Sequence, residues 1–257
     1  MCLIVFDWQP EAEITLRLAA NRDEFYSRPT QALHRWPNAE LIGGRDLLAG
    51  GSWLAATHSR VAALTNVRES QPATPPDAPS RGELVHQALT ADDPGRWLET
   101  LASRGARRYA GFNLLVMSGN QLWTLHHSQH ETCCESVAPG LHGLSNAKLD
   151  TPWPKLIHAR DAMRLALNAP DWRTEMRPAM SNTRQAPDSE LPATGMGRDR
   201  ERFLSPLFIE GQDYGTRATT LVTVSDRSVL LEEQRFGPGG VPTGPITRLG
   251  VSAAGQS

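Results

Sequence analysis

The 257-residue sequence has only three cysteines, no long apolar run and no surplus of either charge. Each shortage removes a class of protein. Two of the cysteines are adjacent (Cys133 and Cys134), and the spacing of the three makes neither a disulfide framework nor a zinc pattern. The longest apolar stretches, such as Cys2 to Phe6, are strand-sized and fall well short of the ~18 residues of a membrane helix. No basic segment followed by an apolar core opens the chain, so no secretory signal is expected and a reducing cytoplasm is the expected setting. The 26 basic and 28 acidic residues leave a net charge of −2, without the basic surplus of a nucleic-acid binder. Lysine occurs only at Lys148 and Lys155. There is no glycine-rich phosphate loop, no Gly-x-Ser-x-Gly turn and no assignable Cys/His dyad.

What is present is a chain of strands and short helices. Hydrophobic residues make up 39%, enough for a sizeable core, and 21 glycines with 19 prolines predict many turns. The run Cys2–Asp7, a turn at Gln9-Pro10-Glu11 and the alternating segment Ile14–Ala20 predict an opening hairpin. Further strands are predicted at 52–57, 60–65, 111–117, 121–126, 216–224 and 228–235. Ser80-Arg-Gly-Glu83 has the form of a capping box ahead of a helix carrying Leu84, Val85 and Leu89. Asp93-Pro94 opens a second helix that stops at Gly105, and Thr151-Pro152 a third that closes at Pro170. Strand pairs, then helices, then strands predict an α+β layered domain. Residues 71–79 form a proline-rich loop, while 182–200 and the tail after Gly237 are expected to be flexible.

Four features could carry chemistry. Cys2 follows the initiator Met, which aminopeptidases remove ahead of a small residue. A terminal Cys2 would hold a thiol beside an α-amine of pKa ~7.7–8.0, able to act as its own general base. A small buried strand residue is the plain alternative. Asn21-Arg-Asp-Glu24 is a polar cluster directly after an apolar strand, and alternation from Leu16, Leu18 and Ala20 turns Arg22 and Glu24 toward the core side. Charges there must either pair structurally or serve a site. Asn66 and Asn146 each end an apolar segment, where an amide can donate to an oxyanion or simply shape a turn. Arg217 enters a late strand, as a salt bridge or a ligand clamp. His126, His127 and His130 lack partners at a metal-ligand spacing, so no metal site is expected.

Read together, these motifs resemble one family. Met1-Cys-Leu-Ile-Val-Phe6, Leu18-Ala-Ala-Asn-Arg-Asp-Glu-Phe25, Arg28-Pro29, Gly44-Arg-Asp46, Gly50-Gly-Ser-Trp53, Ala63-Leu-Thr-Asn66, Ser80-Arg-Gly-Glu83, Gly143-Leu-Ser-Asn146 and Gly215-Thr-Arg217 occur in the order of the NRDE family, which includes the transport and Golgi organisation protein 2 of eukaryotes. The resemblance implies a four-layer αββα sandwich of the N-terminal nucleophile hydrolase type over residues 1–236, with 237–257 as a flexible tail. It is also similar, more distantly, to cysteine acylases of conjugated bile acids and penicillin V. That similarity implies Cys2 as nucleophile, Arg22 with Asp23 or Glu24 fixing the amine, Asn66 and Asn146 holding the oxyanion, and Asn21 and Arg217 binding substrate. Those acylases space an Arg and an Asp three apart, whereas Arg22 and Asp23 are adjacent. The expected partner is therefore a small-molecule amide, with no cofactor, no nucleic acid and no membrane span. The alternative implied by the family is a non-catalytic protein that binds or traffics haem.

Overall fold

The opening hairpin is built by strict alternation. In the computed structural model, which describes residues 2–37, 40–69, 74–226 and 228–252, strand β1 (Cys2–Trp8) pairs antiparallel with β2 (Ile14–Phe25). Ile4, Phe6, Trp8, Leu16, Leu18 and Ala20 face one way into a core between two sheets. Leu3, Val5 and Ala19 face the other way, onto helices. Burial on both faces is why β1 reads as a continuous apolar run rather than an alternating one.

The remaining strands are β3 (Thr30–Arg35), β4 (Ile42–Asp46), β5 (Leu54–Ala56), β6 (Arg60–Asn66), β7 (Phe112–Ser118), β8 (Gln121–His127), β9 (Thr132–Ser136), β10 (Gly140–Leu144), β11 (Tyr214–Ser225), β12 (Ser228–Arg235) and β13 (Thr247–Ser252). They form a six-stranded sheet in the order β10-β1-β2-β11-β12-β13 and a seven-stranded sheet in the order β3-β4-β5-β6-β7-β8-β9. Helices α1 (Glu83–Thr90) and α2 (Pro94–Thr100) pack Leu84, Val85, Leu89 and Leu98 on the seven-stranded sheet. Helices α3 (Pro154–Ala166) and α4 (Trp172–Ala179) pack Leu156, Met163 and Met176 on the six-stranded one. A short α5 (Arg198–Phe203) follows. The layers run helix, sheet, sheet, helix: the expected α+β αββα sandwich.

Several local expectations are corrected. The capping box does not form: α1 starts at Glu83 with Gly82 as its cap, and Glu83 accepts instead from the Tyr109 hydroxyl at 2.5 Å. The backbone before α1 is held elsewhere, since Gly82 O accepts from Ser52 N at 3.1 Å. Asp93 does cap α2, accepting from Arg96 N at 3.0 Å. The segment after residue 236, expected to be a flexible tail, supplies β13, paired along β12. Residues 253–257, Ser70, and 71–73 of the proline-rich loop lie outside the described residues.

Candidate functional site

The hairpin register carries the site. Cys2 pairs with Arg22, and both sit at the end of the intersheet face, where apolar packing gives way to a cavity of about 440 Å³. Cys2, Arg22, Asp23, Glu24, Asn66 and Arg217 all line it. Arg217 reaches the cavity through an irregularity: the β2–β11 register shifts between Thr216 and Ala218, leaving it as the extra residue of a bulge, a device that re-aims a side chain. Its Nη1 donates to Phe25 O at 3.1 Å and also to Arg28 O, closing the β2–β3 turn over the site.

Charge is distributed unevenly along this wall. Arg28 donates to Asp46 at 2.6 Å, and Arg22 lies 3.7 Å from Glu24 and 3.9 Å from Asp46. Burial opposes ionisation of Asp46, but the Arg28 hydrogen bond and the amides of Ala49 and Leu48 hold its pKa below the ordinary value. The Cys2 thiol is pushed up by burial. The N-terminal ammonium, Arg22 and the Asp23 N–H pull it back only in part, and the Asp23 carboxylate adds to the rise. Asp23 is likewise raised by burial, against the pull of the N-terminal ammonium, Lys155, the Thr216 hydroxyl and Arg22. Thr216 Oγ1 donates to Asp23 Oδ1 at 2.7 Å.

Behind Cys2 lies a buried ionic layer that the sequence did not announce. Arg68 and Glu201 pair at 2.6 Å with both side chains almost fully buried, and breaking such a pair by removing one partner costs roughly 3–5 kcal/mol. The Trp153 ring lies 4.7 Å from the Arg68 guanidinium carbon and 5.9 Å from Lys155 Nζ. Burial, reinforced by the Arg68 charge, pulls the Lys155 ammonium down to about 8, against the opposing pull of Asp23, Cys2 and Glu201. Arg68 and Glu201 lie 133 residues apart with Lys155 between them, so no local spacing could reveal the layer.

Two expected site residues stand elsewhere. Asn21 is fully buried on the helix-facing side of β2, where its amide donates to Met180 O at 2.9 Å and Leu207 O at 2.8 Å, and it accepts from Thr219 Oγ1 at 2.6 Å. It ties the helix layer to the sheet and is absent from the cavity wall. Asn146 is also fully buried, and its Nδ2 donates to Asn66 O at 2.8 Å. It therefore backs Asn66, which lines the cavity. Next to it, Ser145 Oγ donates to Cys2 O at 2.9 Å, fixing the carbonyl of the candidate nucleophile.

Arg81, from the segment expected to cap α1, lines the cavity too, as do Arg45, Arg235 and Glu233. The histidines lie apart. His126 bonds Asn113 Oδ1 at 2.6 Å, and His142 bonds Asp150 at 2.7 Å. Among the described residues no three His, Cys, Asp or Glu side chains are grouped to hold a metal ion. No helix among them is long and apolar enough to cross a membrane.

Comparison with known proteins agrees with the sequence motifs. The family profile of Transport and Golgi organisation 2 matches residues 1–236. The mouse (Mus musculus) Transport and Golgi organization 2 homolog is 32% identical, over 90% of this chain and 94% of its own length. The Bos taurus homolog is 33% identical over 95% of each, and the Drosophila melanogaster protein 26% identical over 92% and 93%. Among solved structures, the C2A mutant of a conjugated bile acid hydrolase from Clostridium perfringens superposes with a TM-score of 0.50. That match covers 97% of this chain and 92% of the hydrolase at 8% identity. A likeness at that identity shows the fold, an N-terminal nucleophile hydrolase sandwich, and nothing of the reaction.

Proposed function

We propose that this chain, which belongs to the Transport and Golgi organisation 2 family, is a cysteine hydrolase or acyl-transfer enzyme acting on a small amide, with Cys2 as nucleophile once Met1 is removed. The observation that carries the proposal is the position of Cys2. A thiol at the head of β1 lines a cavity opposite Arg22, beside Asp23 and Asn66. Cys2 shares the face of Ile4 and Phe6, but it stands where that face opens onto the cavity and is not part of the apolar core those residues form.

The steps use groups in that wall. The free α-amine of Cys2 takes the thiol proton, and Sγ attacks the substrate carbonyl carbon. The resulting oxyanion receives the Asn66 side-chain amide, a donor of the kind worth about 3–4 kcal/mol of barrier. The C–N bond then breaks, the ammonium returns its proton to the leaving amine, and the thioester passes to water or a second acceptor. We assign Asp23 to the freed amine, because it lies one step along β2 from Arg22, the ladder partner of Cys2. Glu24 pairs with Arg22 and Arg28 instead. Asn146 acts through Asn66, by fixing its carbonyl. For the haem-binding alternative, no His or Met among the described residues lines the cavity, which leaves Cys2 as the single axial ligand it offers.

The test is intact mass of the protein from its native host, followed by a thiol-directed acylating probe and peptide mapping. A chain starting at Cys2 that takes up one acyl group at Cys2 is expected. Retention of Met1, or acylation at Cys133 or Cys134 alone, would sink the proposal.

A further inference from the structure

Six arginines line the Cys2 cavity: Arg22, Arg28, Arg45, Arg81, Arg217 and Arg235. Only two of them are matched. Arg22 and Arg28 share Glu24 and Asp46. The other four have no carboxylate partner among the described residues and bond neutral groups. Arg45 Nε donates to Gly50 O at 3.1 Å, Arg81 Nη1 to Gly111 O at 2.9 Å, Arg217 Nη1 to Phe25 O at 3.1 Å, and Arg235 Nη2 to Thr30 Oγ1 at 3.5 Å. The remaining acids of the wall do little to offset them. Asp23 is held by Thr216 and faces Lys155. Glu233 accepts from Leu33 N at 2.8 Å, and burial raises its pKa, although Arg235 and Arg22 pull it back.

Arg81 is placed with particular care. A Cβ on Gly51 would stand 2.3 Å from Gly82 C, so two glycines let the segment before α1 cross against the β4–β5 connection. The crossing sets Arg81 on the wall it shares with Cys2 and Asn66. Desolvated guanidiniums without counter-charge are costly unless a ligand brings the charge, and the planar fork of Arg suits carboxylate and phosphate oxygens.

We infer that the cavity takes a substrate carrying an oxyanion group, a carboxylate or phosphate, and that Arg81, with Arg217 and Arg235 nearby, holds that group beside Cys2. The inference rests on the proposed Cys2 chemistry only for what the anion is held against; the anion site itself does not require it.

Two probes of equal size and different charge test this. Iodoacetate and iodoacetamide are compared as alkylators of Cys2 in the intact protein, with a neutral small thiol as reference. The iodoacetate-to-iodoacetamide rate ratio at Cys2 is expected to exceed the reference by roughly tenfold, the scale of one charge-assisted hydrogen bond, and to fall as salt is added. Arg81→Met should bring the ratio to the reference and Arg81→Lys should keep part of it. A wild-type ratio no higher than the reference overturns the inference without any variant needing to fold. Thermal shifts keep this result separate from the nucleophile reading. N-acetylglycine or inorganic phosphate should raise Tm more than N-acetylglycinamide does, in wild type and in Cys2→Ser alike, with the larger shift naming the preferred oxyanion. If neither alkylator touches Cys2 while these shifts persist, the nucleophile reading falls and the anion site stands. Equal shifts from charged and neutral additives overturn the anion site.

Discussion

Cys2 and Arg22 stand opposite each other in the β1–β2 ladder, where the intersheet core ends and the cavity begins. One strand pairing thus delivers a thiol and a guanidinium to the same wall without a loop. A rigid ladder holds such a pair more closely than loop-borne groups would be held. The same pairing leaves Asp23 one step along β2, close enough for its N–H to reach the thiol and its carboxylate to sense the N-terminal charge.

With the α-amine as base, the reactivity of Cys2 is expected to depend on removal of Met1. Burial raises the thiol in the Met1-bearing chain, so little thiolate exists near pH 7. Once Met1 is gone, an adjacent amine of pKa ~7.7–8.0 can take the proton. Iodoacetamide labelling of Cys2 against pH should therefore rise with a midpoint near that of the amine in the processed chain. In the unprocessed chain it should rise only above the ordinary thiol value. Cys134, pushed up to about 11 by burial, should label more slowly than processed Cys2. Coincident pH profiles for the two forms would contradict the amine's role.

The glycine crossing beneath Arg81 separates two neighbouring substitutions. Gly51→Ala puts a methyl 2.3 Å from Gly82 C and 2.6 Å from its oxygen, backbone atoms that cannot swing aside. A loss of about 2 kcal/mol or more is expected, on the scale of an overpacked core. Gly50, at φ +79° with nothing within 4 Å, should lose only about 1 kcal/mol on change to Ala, the cost of a left-handed backbone. Urea midpoints of the two variants give the order directly, and equal losses would refute the steric account.

Much of this was legible in the sequence. Alternation through Leu16, Leu18 and Ala20 put Arg22 and Glu24 on the cavity side, and β2 does continue that far. The same alternation places Asn21 with Ala19 on the helix face, so its assignment to substrate followed acylase spacing against the strand's own parity. Arg81 was hidden because Ser80-Arg-Gly-Glu83 fits a capping box, a local motif displaced here by a tertiary backbone crossing. Arg68, Lys155 and Glu201 carry no joint signal, since they come from the segment after β6, from α3 and from α5, which only the tertiary fold brings together. Strand β4 was obscured by Gly43 and Gly44, and Gly43 is required because a Cβ there would stand 2.7 Å from that of Ala55.

A pH-dependent contribution to stability is expected at His142. Its hydrogen bond to Asp150 raises the imidazole pKa, and the Asp150 carboxylate is held down by His142 and the Gly143 amide against the push of burial. The raised His stabilises fully below the unfolded value of ~6.5 and loses that contribution as pH climbs through its folded pKa. The depressed Asp contributes above its unfolded value of ~3.9 and loses it as pH falls. Asp150 has φ +58°, which Asn tolerates, so Asp150→Asn removes charge with little backbone cost. The variant should lose on the order of 1 kcal/mol more at pH 5.5 than at pH 8, a figure reduced by partial exposure. Urea unfolding at the two pH values checks this, and a loss independent of pH would show that the pair is not ionic.

The two asparagines should respond differently. Asn66→Ala removes the amide proposed to hold the oxyanion and is expected to slow acylation of Cys2 by roughly 10²–10³-fold with little change in Tm. Asn146→Ala takes the side-chain donor from Asn66 O at a fully buried position, so it should lower Tm as well as the rate. Acylation kinetics beside thermal melts separate the roles. A larger Tm loss for Asn66→Ala than for Asn146→Ala would reverse the assignment.

The most direct test of the mechanism moves the amine and leaves every side chain in place. One Ala inserted between Met1 and Cys2 keeps the thiol, Arg22, Asp23 and Asn66, while processing exposes the amine of Ala. That amine then sits roughly 3.3–3.6 Å of extended chain farther from Sγ. The β1–β2 register begins at Cys2 and the Ser145 bond to Cys2 O does not involve the amine, so the hairpin should hold. If the α-amine is the general base, acyl transfer falls by about 10²–10⁴-fold, the contribution of a positioned base. Arg22 alone cannot restore the rate, because it adds charge near the thiol without accepting its proton. A Cys2 that merely packs or ligates predicts little change. Acyl transfer within a few-fold of the parent, in an insertion variant shown by mass to start at Ala and by melting to be folded, would rule out the self-activated thiol.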